Sequence, residues 1–292
     1  MKIKSSFTHF GIAWKHKKDE VWVRVDDPPY GWTADPFLVE FQGELYLFAE
    51  IFLFKSERNG VIGYCKFDGS SFGDWKVTMD RHWHLSYPNV FVENERLFMC
   101  PETWQLGEVV IYELVEFPDK WKKKVSLISD VTYCDSTFLN YSGQRWMLTY
   151  RRPYDSLGAA GMIYRCDENY VLSDGRVFSE SEESFRCGGS VIYEKGKAIR
   201  VAQNGIPYYG KELIFYEIDS VWPEYKEHEI KRMGDKDIVI NGFNRQTGFH
   251  TYNRIGDIEV IDYRYQSYKL EDIIGENLAM SHTHKVFLNK YR

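Results

Sequence analysis

Four stretches of the chain align without a gap: ADPFLVEFQGELYLFAE (34–50), SYPNVFVENERLFMCPE (86–102), CDSTFLNYSGQRWMLTY (134–150) and CGGSVIYEKGKAIRVAQ (187–203). Each joins two apolar runs through a turn centred on Gly43, Glu95, Gly143 or Gly196, which is the pattern of a β-hairpin. A weaker fifth copy, TGFHTYNRIGDIEVIDY (247–263), turns at Gly256. A third apolar run follows each of the first four hairpins: VIGYCKF (61–67), VVIYELV (109–115), MIYRC (162–166) and LIFYEI (213–218). Trp75 and Trp121 then open short segments that suit an outer fourth strand. Four strands per unit, repeated about every 50 residues, is the pattern of propeller blades.

Five such units fill the chain. The expectation is therefore an all-β, five-bladed β-propeller with four antiparallel strands per blade, a single domain over residues 1–292. Blades begin near 34, 86, 134, 187 and 247, and a C-terminal tail starts at about 266. FGIAW (10–14) and VWVRV (21–25) precede the first blade and supply outer strands to the fifth, closing the ring between the chain ends. Helical periodicity is confined to LEDIIGENLAM (270–280). The charged stretch DKWKKK (119–124) reads as an outer strand alternating between solvent and blade, with a phosphate-binding patch as the alternative.

Composition narrows the function classes. With 292 residues, 43% of them hydrophobic, the chain can bury a full core, and no apolar run approaches the roughly 20 residues of a membrane span. A net charge of −6 argues against a nucleic-acid backbone as partner. Aromatic residues make up 17% of the chain, which favours β-structure and supplies rings on which sugars stack. Cys65, Cys100, Cys134, Cys166 and Cys187 are odd in number and contain no CxxC pair, so free thiols in a reducing compartment are expected. The N-terminus shows no signal-peptide pattern, and the expected location is cytoplasmic. His82 and His84 have an HxH spacing but no carboxylate at a fixed distance, and neither GxxxxGK[ST] nor GxGxxG occurs. No metal and no cofactor is expected.

In a propeller the innermost strand of each blade lines the central channel. The residues that begin strand one and end strand two of each hairpin converge on the face away from the turns. Those positions bring together Asp35, Tyr87 and Asp135 from strand starts with Glu50, Glu102 and Gln203 from strand ends. Tyr150 and Tyr263 end the second strands of blades three and five, and His84, Arg151, Arg186, Asn204 and His250 lie beside the same rim. Each residue alone has a structural account, such as a turn cap for Asp35 or ion pairs between the glutamates and arginines. Four carboxylates converging on one cleft repel one another, which stability does not explain. Tyr87, Trp104 and Tyr208 are candidate stacking platforms, and Arg186 suits an anionic sugar or an ion pair with a rim carboxylate.

WTADPF, the Asp of CDSTF and the five-unit count resemble the five-bladed propeller glycosidases of the clan that holds glycoside hydrolase families 43 and 32. More closely, HLSYPNVF with PET (84–103), CDSTF, RCGG with AQN (186–204) and HTYN (250–253) resemble the propeller domain of the glucosamine inositolphosphorylceramide transferase family. The resemblance to the glycosidases implies Asp35 as base or nucleophile and Asp135 as the residue that tunes position and pKa. Their general acid comes from a later blade, but the matching stretch SFRCGGSVI has no rim carboxylate, which leaves Glu102 or Glu50 for that role. Glu50, His84, Tyr87, Arg186, Gln203, Asn204 and His250 are then expected to bind substrate. Two readings follow. One is a glycoside hydrolase-like protein acting on a glycan or activated sugar. The other is a non-hydrolytic module of surface-polysaccharide biosynthesis that binds a glycan or sugar nucleotide in association with glycosyltransferases.

Overall fold

The computed structural model describes residues 6–54, 60–153 and 157–269. Strands dominate, and they form five sheets arranged as a five-bladed β-propeller. Blade one is Gly31–Phe41, Glu44–Leu53, Gly60–Lys66 and Lys76–Met79, and blade two is Ser86–Glu93, Arg96–Glu102, Glu108–Glu116 and Lys120–Ser129. Blade three runs from Tyr133–Tyr141 through Gln144–Arg151 and Ala160–Cys166 to Leu172–Ser179. Blade four comprises Ile192–Glu194, Lys197–Asn204, Glu212–Ser220 and Lys226–Met233. All four sheets keep chain order from the inner to the outer strand.

The fifth blade differs because it is assembled from both ends of the described chain. Phe7–His16 pairs with Ile258–Ser267 along its whole length, from Phe7 opposite Ser267 to His16 opposite Ile258. Val21–Val25 lies outside it and pairs in parallel with Val239–Ile240. The inner edge is split between Gln246–Gly248 and Tyr252–Ile255. The ring closure expected for the N-terminal strands is present, in a six-stranded sheet rather than a four-stranded one. The helix expected at 270–280 lies outside the described residues.

Tight turns set the register of the inner hairpins. Gln42–Gly43, Asn94–Glu95, Ser142–Gly143 and Lys195–Gly196 all take positive φ at both positions, the two-residue turn whose twist suits a hairpin. In blade five the turn is Gly256–Asp257, closed by the pair Ile255 and Ile258. Gly256 is thus the first turn residue, whereas Gly43, Gly143 and Gly196 are the second. This one-residue offset shifts the fifth hairpin out of phase with the sequence alignment.

Most aromatic rings fill the spaces between blades. Phe37, Phe48, Tyr64, Trp121 and Trp146 belong to one buried cluster, and Trp14 packs edge-on against Phe67 and Phe72 where blade five meets blade one. The 119–124 stretch behaves as an outer strand: Trp121 is buried and its indole donates to Thr78 Oγ1 at 2.9 Å. The four lysines around it lie beside Glu116, Glu108 and Glu113, which offset most of that charge. All five cysteines are buried free thiols. Among the described residues no helix is long and apolar enough to cross a membrane.

Candidate functional site

A repeated backbone irregularity builds the site. Near the start of the inner strand, the register slips between Ala34 and Phe37 in blade one, Ser86 and Asn89 in blade two, and Cys134 and Thr137 in blade three. At each slip one residue takes the left-handed conformation: Asp35 at φ 52°, Tyr87 at φ 43° and Asp135 at φ 53°. A bulge of this kind re-aims a side chain, and non-glycine residues hold positive φ at a cost that clusters at functional sites. It turns Asp35 and Asp135 into the rim while both remain almost wholly buried. Tyr87 behaves differently. Its ring is fully buried and its hydroxyl bonds Thr137 and Gly189, so it is not a stacking platform; its backbone N–H, not its ring, reaches the site.

Around Asp35 the hydrogen bonding is dense. Oδ1 accepts from Thr251 Oγ1 at 2.7 Å, and Oδ2 accepts from the Tyr87 N–H at 3.1 Å. Behind it lies Asp262, fully buried, whose carboxylate accepts from the backbone N–H groups of Asp35, His250 and Thr251 at 2.9–3.1 Å. The same carboxylate meets His250 Nδ1, while His250 Nε2 lies 3.6 Å from Asp35 Oδ1. His250 is stacked on Phe10 with centroids 4.3 Å apart. Burial alone lowers the imidazole pKa, but Asp262 and Asp35 outweigh it and raise the value. Burial lifts Asp35 to about 6, helped by negative Asp135 and Asp262 and opposed by His250 and Thr251. Asp35, His250 and Asp262 each offer a ligand atom within 4.8 Å of the others. N–H and O–H donors already address these carboxylate oxygens, so the group is a proton network rather than a cage open to a cation.

Across the rim the second cluster is organised by Arg186. Its Nε donates to Asp135 Oδ2, and Gln203 Nε2 donates to the same oxygen at 3.0 Å. Arg186 Nη2 stands 3.7 Å from Glu102 Oε2, beyond hydrogen-bond distance, and that buried oxygen has no hydrogen-bond partner among the described residues. Burial raises Glu102 to about 8; Asp135 pushes the same way as a negative charge and as hydrogen-bond acceptor, and Arg186 opposes it. Both carboxyls thus lie above their ordinary range, Glu102 further above it than Asp35. Tyr150 and Tyr209 flank the Arg186 guanidinium at 5.5 and 5.0 Å, and these groups, with Glu102 and Arg152, line a cleft of about 510 Å³.

The other expected residues have more limited parts. Glu50 Oε1 lies 3.6 Å from His84 Nε2; burial and nearby carboxylates raise the Glu50 pKa, while burial and Arg152 lower His84 to about 4, and both shifts favour the uncharged forms. Asn204 is spent on Glu212 and the Ile206 N–H, and it holds the loop that carries Tyr208 and Tyr209. Arg152 covers a face of Trp104 at 4.3 Å, so that face is closed to a sugar ring. Tyr263 belongs to the core packed beside Trp22 and Phe243, and Asp262 makes the fifth-blade contribution to the site. Asp262, Thr251, Tyr209 and Arg152 were not among the residues singled out from the sequence. An acid inside the apolar run IEVIDY was the available signal for Asp262.

The model of a family described as glucosamine inositolphosphorylceramide transferase 1, N-terminal, matches residues 23–251. The Arabidopsis thaliana protein glucosamine inositolphosphorylceramide transferase 1 is 30% identical over 217 residues, 69% of this chain and 28% of that protein. Its counterpart in Oryza sativa subsp. indica is 28% identical over 222 residues, again 28% of its length. The chain thus spans little more than a quarter of these curated relatives. Among solved structures, an alpha-L-arabinofuranosidase from Podospora anserina superposes with a TM-score of 0.60 at 10% identity, over 87% of this chain and 97% of that one. A family-32 beta-fructofuranosidase from Bombyx mori gives 0.58 at 12% identity, over 93% and 61%. Identities this low bear on the fold alone.

Proposed function

Because the chain belongs to the glucosamine inositolphosphorylceramide transferase 1 N-terminal family, and its rim holds two buried carboxyls in contrasting surroundings that raise Glu102 further than Asp35, we propose that it acts on a glycosidic bond. The observation that carries this reading is the convergence of buried Asp35, Glu102 and Asp135 on one rim, where Asp35 is met by hydrogen-bond donors and Glu102 Oε2 has no hydrogen-bond partner among the described residues. Glycosidic cleavage needs that pairing: one carboxylate ionised and one carboxylic acid held neutral by its surroundings. Glu102 gives its proton to the leaving-group oxygen as the bond to the anomeric carbon breaks. Asp35 takes the proton of the attacking hydroxyl, from water in hydrolysis or from a second sugar in transfer. Asp135, held by Arg186 and Gln203, places a negative charge near Glu102 that favours its protonated form.

Membership in a family whose curated relatives are transferases favours a second reading, a sugar-binding module working beside a glycosyltransferase, with cytoplasmic location as part of that proposal. A panel of aryl glycosides and sugar nucleotides, run with the wild type, D35N and E102Q, separates the two. Turnover lost in both variants supports catalysis. Saturable binding with no turnover of any compound supports the module.

A further inference from the structure

Arg152 is a cation of the cleft for which the described residues supply no ion-pair partner. It follows the strand Gln144–Arg151 and lines the same cleft as Glu102 and Arg186. Arg186 is matched by Asp135, and Glu102, the carboxyl that lines the cleft, has its pKa raised by burial and makes no ion pair with Arg152. Among the described residues no carboxylate forms an ion pair with Arg152, whose guanidinium lies over the Trp104 ring, 4.3 Å from its centroid. A guanidinium lying over an aromatic face is oriented without spending its in-plane N–H donors, and those donors match a carboxylate or phosphate in a bidentate fork. The charge also reaches into the site, because after burial it is what lowers the His84 pKa.

We infer that Arg152, seated on Trp104, binds an anionic substituent of the sugar entering this cleft, so that the ligand class is a sugar bearing a carboxylate or phosphate rather than a neutral one. The inference rests on reading the cleft as a sugar site, as above, but it concerns recognition and not bond cleavage.

Calorimetric binding to the full chain tests it, with glucose and galactose, their uronates, their 6-phosphates and inorganic phosphate as probes. At least one acidic sugar series is expected to bind tenfold or more tightly than its neutral parent, and the series that gains most identifies the anion. R152M is expected to remove that advantage while R152K keeps part of it, with the thermal midpoint of each variant confirming the fold. Equal affinity for neutral and acidic sugars overturns the inference, as does failure of every acidic sugar to bind. Retention of the preference in R152M, or inorganic phosphate binding as tightly as the sugar phosphates, overturns it too. If D35N leaves turnover intact but the R152M effect holds, the catalytic reading fails and this one stands.

Discussion

The two halves of the rim solve opposite problems with the same residue types. On the blade five and blade one side, Asp35 receives Thr251 and the Tyr87 N–H, and Asp262 gathers three backbone N–H groups and His250 behind it. On the side of blades two to four, Asp135 takes the hydrogen bonds of Arg186 and Gln203, and Glu102 is left with an unpartnered oxygen. Donors aimed at a carboxylate favour its ionised form, whereas burial without donors favours the neutral acid. Burial is therefore common to both clusters, and the supply of donors decides which carboxyl keeps its proton.

The largest expected effect comes from removing the ionised partner. D35N should lower turnover of a glycosidic substrate by about 10,000-fold while leaving binding within a fewfold, read as kcat against KM. E102Q should cost about 100- to 1,000-fold, less when the leaving group needs no protonation, which a series of aryl leaving groups will read. The pH dependence follows with its sign. Activity should rise as Asp35 ionises through about 6 and fall as Glu102 ionises through about 8, giving a bell in kcat/KM. A single ascending limb would break the contrast between the clusters.

Stability probes the same contrast without a substrate. D262A strips the acceptor from three buried N–H groups and should destabilise the fold by about 3 kcal/mol, measured by denaturant unfolding. A second stability readout concerns Glu102. Its folded pKa lies above the ordinary value of 4.5, so folding takes up a proton and stability falls as pH rises from about 4.5 to about 8. E102Q removes that slope and should raise the thermal midpoint by roughly 5 °C more at pH 8 than at pH 4.

Most of this fold is legible in the sequence because each blade repeats the same hairpin, and a repeat fixes strand, turn and order together. Asp35, Glu102, Asp135 and Gln203 were legible for the same reason, since the alignment places strand starts and strand ends on one face. Legibility failed where the repeat breaks. The Gly256–Asp257 turn is one residue out of phase, and the strand Ile258–Ser267 is covered by Phe7–His16, so residues 258–263 are all buried and no alternation marks Asp262. The left-handed bulge likewise misled the reading of Tyr87: sequence gives its position at the rim but not that its ring turns into the core. Tyr209 and Arg152 stand outside the inner hairpins, where a blade repeat carries no register.

The central claim is that one rim carboxyl stays protonated at neutral pH while its neighbour across the cleft is ionised. A carbon-13 NMR titration of the side-chain carboxyls, with Glu102 assigned by its loss in E102Q, measures this directly. The account predicts a Glu102 midpoint near 8, well above that of Asp35 near 6. A Glu102 carboxyl already ionised by pH 5 would contradict it.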